Sequence, residues 1–231
     1  MNHYIDSTNL KMDATMKEIE ALCHEAIHYH FETVCVHPYY VPFAKKLLEG
    51  SPVQICTVIG FPLGMNTKQV KVYEAIEAIN EGADEIDMVI NVGALKDRDY
   101  DYIKDEIEEV RDAIDGKTLK VIVETSLLTT DELAKMTEIC NETFVNFIKT
   151  STGFGSRGAS VADIKTIMEY RSDVLEVKAS GGIRTDEQAQ TLIDMGVTRI
   201  GTSHGKELMA MEPYHDRCHI CTGTCEHEEG E

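Results

Sequence analysis

The sequence predicts a single-domain α/β protein, a (β/α)8 TIM barrel, and three observations predict it. Short runs rich in Val and Ile recur along the chain, each followed by a helical pattern. The runs are nearly continuous in hydrophobicity, as strands covered on both faces are. Helix-start and helix-stop signals alternate with them in step. Eight such units in 231 residues, with no long insertion, favour a closed barrel over a doubly wound open sheet.

The expected strands are His3–Asp6, Thr33–His37, Gln54–Gly60, Glu85–Asn91, Lys120–Glu124, Val145–Lys149, Val174–Lys178 and Thr198–Gly201. The segments between them carry apolar stripes at helical spacing. Ile19, Leu22, Cys23 and Ala26 form one, Ile103, Ile107, Val110 and Ile114 a second, and Val161, Ile164 and Met168 a third. Thr15 with Glu18, Thr129 with Glu132 and Ser160 with Asp163 have capping-box spacing. Gly50, Gly82, Gly116 and Gly196 close helices just ahead of strands. The pattern stops after Met211, where "EPYHDRCHICTGTCEHEEGE" has neither period. The expected organisation is therefore a barrel over residues 1–211 and an irregular, acidic, flexible Cys/His-rich tail over 212–231.

Composition narrows the function. Hydrophobic residues make up 42% and charged residues 27%, which suits a globular chain with a large core. The net charge of -19 argues against nucleic acid and anionic membranes as partners. It leaves room for a small anionic substrate, because a local pocket can oppose the global sign. "MNHYIDSTNL" lacks the basic-then-apolar order of a signal peptide, and no apolar run is long enough to span a bilayer. Cys23, Cys35, Cys56 and Cys140 are scattered through apolar contexts, as buried free thiols of a reducing, cytoplasmic protein are. Cys218, Cys221 and Cys225, with His215, His219 and His227, include one Cys-x2-Cys of zinc-knuckle spacing. That segment has little apolar content to fold around an ion, so no required metal is expected there.

In a barrel the chemistry sits at the C-terminal ends of the strands. The expected strands bring Asp6, Asp87, Glu124, Lys149 and Lys178 to that end. One lysine at a strand end is ordinarily solvated or salt-bridged. Two on adjacent strands, followed by "TSTG" and "ASGG", are harder to explain that way. Asp87, in "EIDMVIN", alternates into the barrel with Val89 and Asn91 and needs a cationic partner there. A purely structural ion pair would satisfy the same pattern.

Magnitudes favour chemistry. A free lysine near pKa ~10.4 is almost wholly protonated at neutral pH, and only its neutral amine is a nucleophile. A second ammonium ~4–5 Å away costs about 3–4 kcal/mol at an effective dielectric of ~20. Two lysines and a carboxylate are thus a device for making an imine with a carbonyl and moving a proton. Asp6 and Glu124 stand behind that set as supporting carboxylates.

Backbone N–H groups in the loops after the last strands suit a phosphate. The candidates are Thr150 and Gly153 after the sixth strand, Gly181 and Gly182 after the seventh, and Gly201 and Ser203 after the eighth. Tight βα turns are the alternative reading of the same glycines.

Several stretches resemble the deoxyribose-phosphate aldolase family of class I aldolases. They are "TVIGFPLGMNT", "GADEIDMVINVGALK", "KVIVETSLLT", "FIKTSTGFG", "VKASGGIRT" and "GVTRIGTSHG", in order from about residue 57 to 205. Weaker similarity in "YIDSTNL" and "TVCVHP" reaches the N-terminus. The resemblance implies reversible cleavage of 2-deoxy-D-ribose 5-phosphate to D-glyceraldehyde 3-phosphate and acetaldehyde. It implies Lys149 as the imine-forming lysine, Lys178 as the lysine that perturbs it, and Asp87 as the acid/base carboxylate. No metal or organic cofactor is implied, and the partners are small molecules and further copies of the chain, a dimer or higher. Ser7 stands where many members carry histidine, and His204 where a second serine is usual. Both departures are expected at the mouth. Some members use a C-terminal tyrosine; the tail here has only Tyr214. A related barrel aldolase for another phosphosugar, and a non-catalytic phosphosugar sensor, are the competing readings.

Overall fold

The computed structural model describes residues 1–209. Eight parallel strands close into a barrel in chain order: β1 (Ile5–Asn9), β2 (Thr33–Val36), β3 (Gln54–Ile59), β4 (Glu85–Val89), β5 (Thr118–Ile122), β6 (Phe147–Lys149), β7 (Glu176–Ser180) and β8 (Arg199–Thr202). The helices around it are α1 (Met16–Tyr29), α2 (Val41–Leu47), α3 (Lys68–Glu81), α4 (Val92–Lys96), α5 (Tyr100–Ala113), α6 (Thr130–Glu142), α7 (Val161–Tyr170), α8 (Asp186–Asp194) and α9 (Gly205–Met209). The expected barrel is what forms. The boundary expected at residue 211, and the cysteines and histidines beyond it, lie outside the described residues.

The helix starts follow their local chemistry. Thr15, Thr129 and Ser160 each cap a helix through a reciprocal box with Glu18, Glu132 and Asp163. A fourth box, Thr185 with Gln188, opens α8 and was not anticipated from the sequence. Gly82 ends α3 at φ 114°, a left-handed conformation that suits a residue without a side chain.

Alternation along each strand separates two interiors. Ile5, Val34, Ile86, Val121, Ile148, Val177 and Ile200 face outward into one apolar cluster with Ile19, Ile107, Ile139 and Ile164 of the helices. Their neighbours in sequence face the barrel axis, and most of these are charged. Register then sets which of them meet. Asp87 lies beside Lys120, and Lys149 beside Lys178.

Three strands are displaced from their expected positions. Residues 2–4 form a 3-10 turn, and β1 runs on through Ser7, Thr8 and Asn9. Asp6 is therefore deep in the barrel and not at its C-terminal rim. β5 starts earlier and stops at Ile122, leaving Glu124 in the following turn. β7 continues two residues past Lys178 to Ser180. In β1 the added residues are small and polar, and in β7 they are Ala179 and Ser180, so neither addition carried an apolar, β-branched strand signal.

Candidate active site

The axis of the barrel holds a buried charge network. Asp87 is its centre, with no solvent exposure. Lys149 Nζ donates to Asp87 Oδ2 at 2.7 Å and Lys178 Nζ to the same oxygen at 2.8 Å. Lys120 Nζ donates to Asp87 Oδ1 at 2.9 Å and reaches Glu85 Oε2 at 2.5 Å. Lys178 also pairs with Asp6. Arg199 closes the base of the network, with Nε on Asp6 and Nη2 on Glu85, both at 2.7 Å. The Phe147 ring lies 5.9 Å from Lys120 Nζ and 5.6 Å from the Arg199 guanidinium.

Charge sets the protonation of this set. Burial alone would push the Asp87 carboxyl up, but Lys120, Lys149 and Lys178 outweigh it and hold it well below the usual range. Burial would likewise raise Asp6, and Lys178 and Arg199 overcome that. For Lys178 burial pulls downward, and Asp6 and Asp87 hold the ammonium well above the usual lysine value. Four cations, Lys120, Lys149, Lys178 and Arg199, thus face three carboxylates, Asp6, Glu85 and Asp87. Loss of one ammonium proton would balance the set.

A cavity of about 750 Å³ opens at the C-terminal end of the barrel. Lys149 lies on its wall, whereas Lys120, Lys178 and Asp87 lie beneath and do not line it. Gly153, Gly181, Gly182, Gly201 and Ser203 line the same cavity, with His204, Arg184 and Lys11. Gly181 and Gly182 sit at φ 85° and 75° in succession. A side chain would be strained at both.

Two expected positions differ. Thr150 does not line the cavity: its hydroxyl donates to the Ser180 carbonyl at 3.3 Å and accepts from Ser180 N at 3.1 Å, tying β6 to β7. Ser7 is buried, on the strand face opposite Asp6, and is not at the mouth. His204 is at the mouth, as expected.

Sequence reasoning missed Lys120, Glu85 and Arg199. Glu85 and Arg199 open their strands, where a charged residue ordinarily faces solvent, and Lys120 stands at the start of the strand expected from the sequence. The available signal was period two within β4, which puts Glu85 on the same face as Asp87. Cys56 was expected in apolar surroundings. Its Sγ in fact donates to Asp87 Oδ1 at 3.1 Å, and burial, followed by Cys35 and Asp87, keeps the thiol protonated well beyond its ordinary range. Two donor sets lie close enough to hold a cation, Cys35–Cys56–Asp87 and Asp6–Cys56–Glu85. Lys120, Lys178 and Arg199 already occupy their carboxylates.

A family model described as DeoC/LacD family aldolase matches residues 2–209. The chain belongs to that family. A deoxyribose-phosphate aldolase of Metamycoplasma hominis is 55% identical over 196 residues, spanning 85% of this chain and 90% of that protein. The solved aldolase QR15 is 42% identical at a TM-score of 0.87, covering 90% of this chain and 94% of its own. The deoxyribose phosphate aldolase of Aeropyrum pernix, described as a unique tetramer, is 29% identical at a TM-score of 0.85, covering 90% and 89%. This aldolase is thus a lyase on a TIM barrel, and no helix among its described residues is long and apolar enough to cross a membrane.

Proposed function

We propose that the chain is a class I deoxyribose-phosphate aldolase that cleaves 2-deoxy-D-ribose 5-phosphate reversibly to D-glyceraldehyde 3-phosphate and acetaldehyde. One observation carries the assignment of the nucleophile. Of the buried cationic set, Lys149 is the lysine that lines the cavity.

Lys149 first passes one ammonium proton to Asp87, and its neutral amine adds to C1 of the open-chain aldehyde; that proton then returns to the carbinolamine hydroxyl, which leaves as water and gives an iminium. The position thus ends with the single positive charge it began with, and Asp87 is its counter-ion. A base then takes the proton of the 3-hydroxyl. The C2–C3 bond breaks, its electrons forming an enamine, and glyceraldehyde 3-phosphate leaves. Protonation at C2 and hydrolysis release acetaldehyde and restore Lys149. Asp87, directly or through a water, moves these protons, with the Lys178 ammonium on the same carboxylate oxygen.

The phosphate would lie on Gly181, Gly182 and Ser203, with Arg184 and Lys11 supplying local positive charge. Four buried free thiols support a reducing, cytoplasmic setting. The tetrameric relative supports assembly as a homo-oligomer. The test is an acetaldehyde-release assay on deoxyribose 5-phosphate with a chelator present. Sustained release is expected. Its absence in folded protein would contradict the assignment.

A further inference from the structure

Glu124 does not touch the cavity, yet it holds the segment that does. It follows β5 in the left-handed region, at φ 52° and ψ 70°, where a residue with a side chain is strained. It is 5% exposed. Its Oε2 accepts from Thr152 N at 3.0 Å and from Thr152 Oγ1 at 2.6 Å, and its Oε1 accepts from Ser126 Oγ at 2.8 Å. Thr152 Oγ1 in turn accepts from Phe154 N at 3.0 Å. Thr152, Gly153 and Phe154 line the cavity three to five residues beyond Lys149.

The turn after β5 grips the other end of the same loop. Arg157 Nη2 donates to the Thr125 carbonyl at 3.1 Å, and both Arg157 Nη groups bind Asp163. Thr125 Oγ1 donates to Asp163 at 3.0 Å. Next to Arg157, Gly158 packs so closely on Gly181 that a Cβ there would fall 1.9 Å from the Gly181 carbonyl oxygen. Contacts therefore run without a break from Glu124 through Thr152 and the loop to Gly181. Gly155 completes the arrangement, since a Cβ on it would meet Glu124 Oε1 at 2.6 Å.

We propose that Glu124 is a positioning residue for the phosphate end of the cavity, acting through Thr152. The inference rests on the aldolase reaction proposed above. A carboxylate accepting from a buried amide and a buried hydroxyl makes strong bonds, and a neutral amide in its place cannot satisfy both as well. Loosening the loop should move the backbone that meets the phosphate while leaving Lys149, anchored in β6, where it is.

The test compares deoxyribose 5-phosphate with unphosphorylated 2-deoxyribose as substrates of wild type, Glu124→Gln and Gly155→Ala. Glu124→Gln should raise KM for the phosphate about tenfold, the loss of one charged hydrogen bond. It should leave kcat/KM for deoxyribose, and borohydride trapping of acetaldehyde, within about twofold. Gly155→Ala displaces the same carboxylate and should show the same selective loss. It decides the matter alone if Glu124→Gln does not fold. An equal loss on both substrates, or no loss on either, in an otherwise active enzyme would overturn the positioning role alone. Inactivity of the wild type on deoxyribose 5-phosphate would overturn the reaction, and this inference with it.

Discussion

The two faces of the eight strands are built from different chemistry, although the residues concerned alternate one by one in sequence. Outward-facing Ile86, Val121, Ile148 and Val177 join an apolar shell with the helices. Inward-facing Asp87, Lys120, Lys149 and Lys178 form a buried network of charge. Barrel interiors are ordinarily filled by layers of bulky branched residues, and desolvated ions are generally less stabilising than such packing. On the mechanism proposed above, the shell carries the stability and the axis carries the reactivity. A one-residue step along a strand should therefore change which property a substitution damages.

The largest departure is expected at the centre of the axis. Asp87→Asn should lower kcat by about 10²–10⁴ as an acid/base loss. It should also cost about 3–5 kcal/mol of stability, because it strands buried cations. Circular dichroism and a denaturant titration must accompany the kinetics, and a folded variant at wild-type rate would break the comparison. One residue before Lys149, Ile148→Ala should do the reverse. It should cost about 2–5 kcal/mol of stability and leave kcat at 25 °C within about twofold.

Lys178→Leu tests the axis more gently. Removing the ammonium that shares Asp87 Oδ2 with Lys149 should lower kcat/KM by about 10²-fold in folded protein, as loss of a group in the proton relay. A folded variant at the wild-type rate would show that Lys178 takes no part in the chemistry. The smallest effect concerns pH and stability. The carboxyls of Asp6 and Asp87 are depressed, so their contribution is fully present above the ordinary carboxylate range and is lost progressively as pH falls from that range to their depressed values. The ammonium of Lys178 is raised, so its contribution is present up to the ordinary lysine range and is lost above it. The network should thus add little slope to Tm between about pH 5 and pH 9. A slope there that disappears in Asp87→Asn would contradict this.

The outer shell was legible in the sequence because its signal is local: alternating or continuous apolar runs, capping boxes and closing glycines. Asp87, Lys149 and Lys178 were legible because they interrupt such runs. Lys120 and Arg199 were not, because their partners are 33 and 193 residues away in the chain and meet only through barrel register. The shift of β1 had the same origin. Ser7, Thr8 and Asn9 look like a turn, yet β2 pairs with all three of them. Glu124 was expected as a support behind the lysines. Its structural partners, Thr152 and Ser126, are set instead by a left-handed turn that no propensity signals.

On the proposed mechanism the barrel axis presents one reactive amine, that of Lys149, to the cavity. Reduction with borohydride in the presence of acetaldehyde, followed by peptide mapping, tests it most directly. The structure predicts a single N-ethyl adduct on Lys149 within "FIKTSTGFG", absent in Lys149→Ala, which should also lose turnover. An adduct on Lys178 or Lys120, together with full activity of Lys149→Ala, would contradict it.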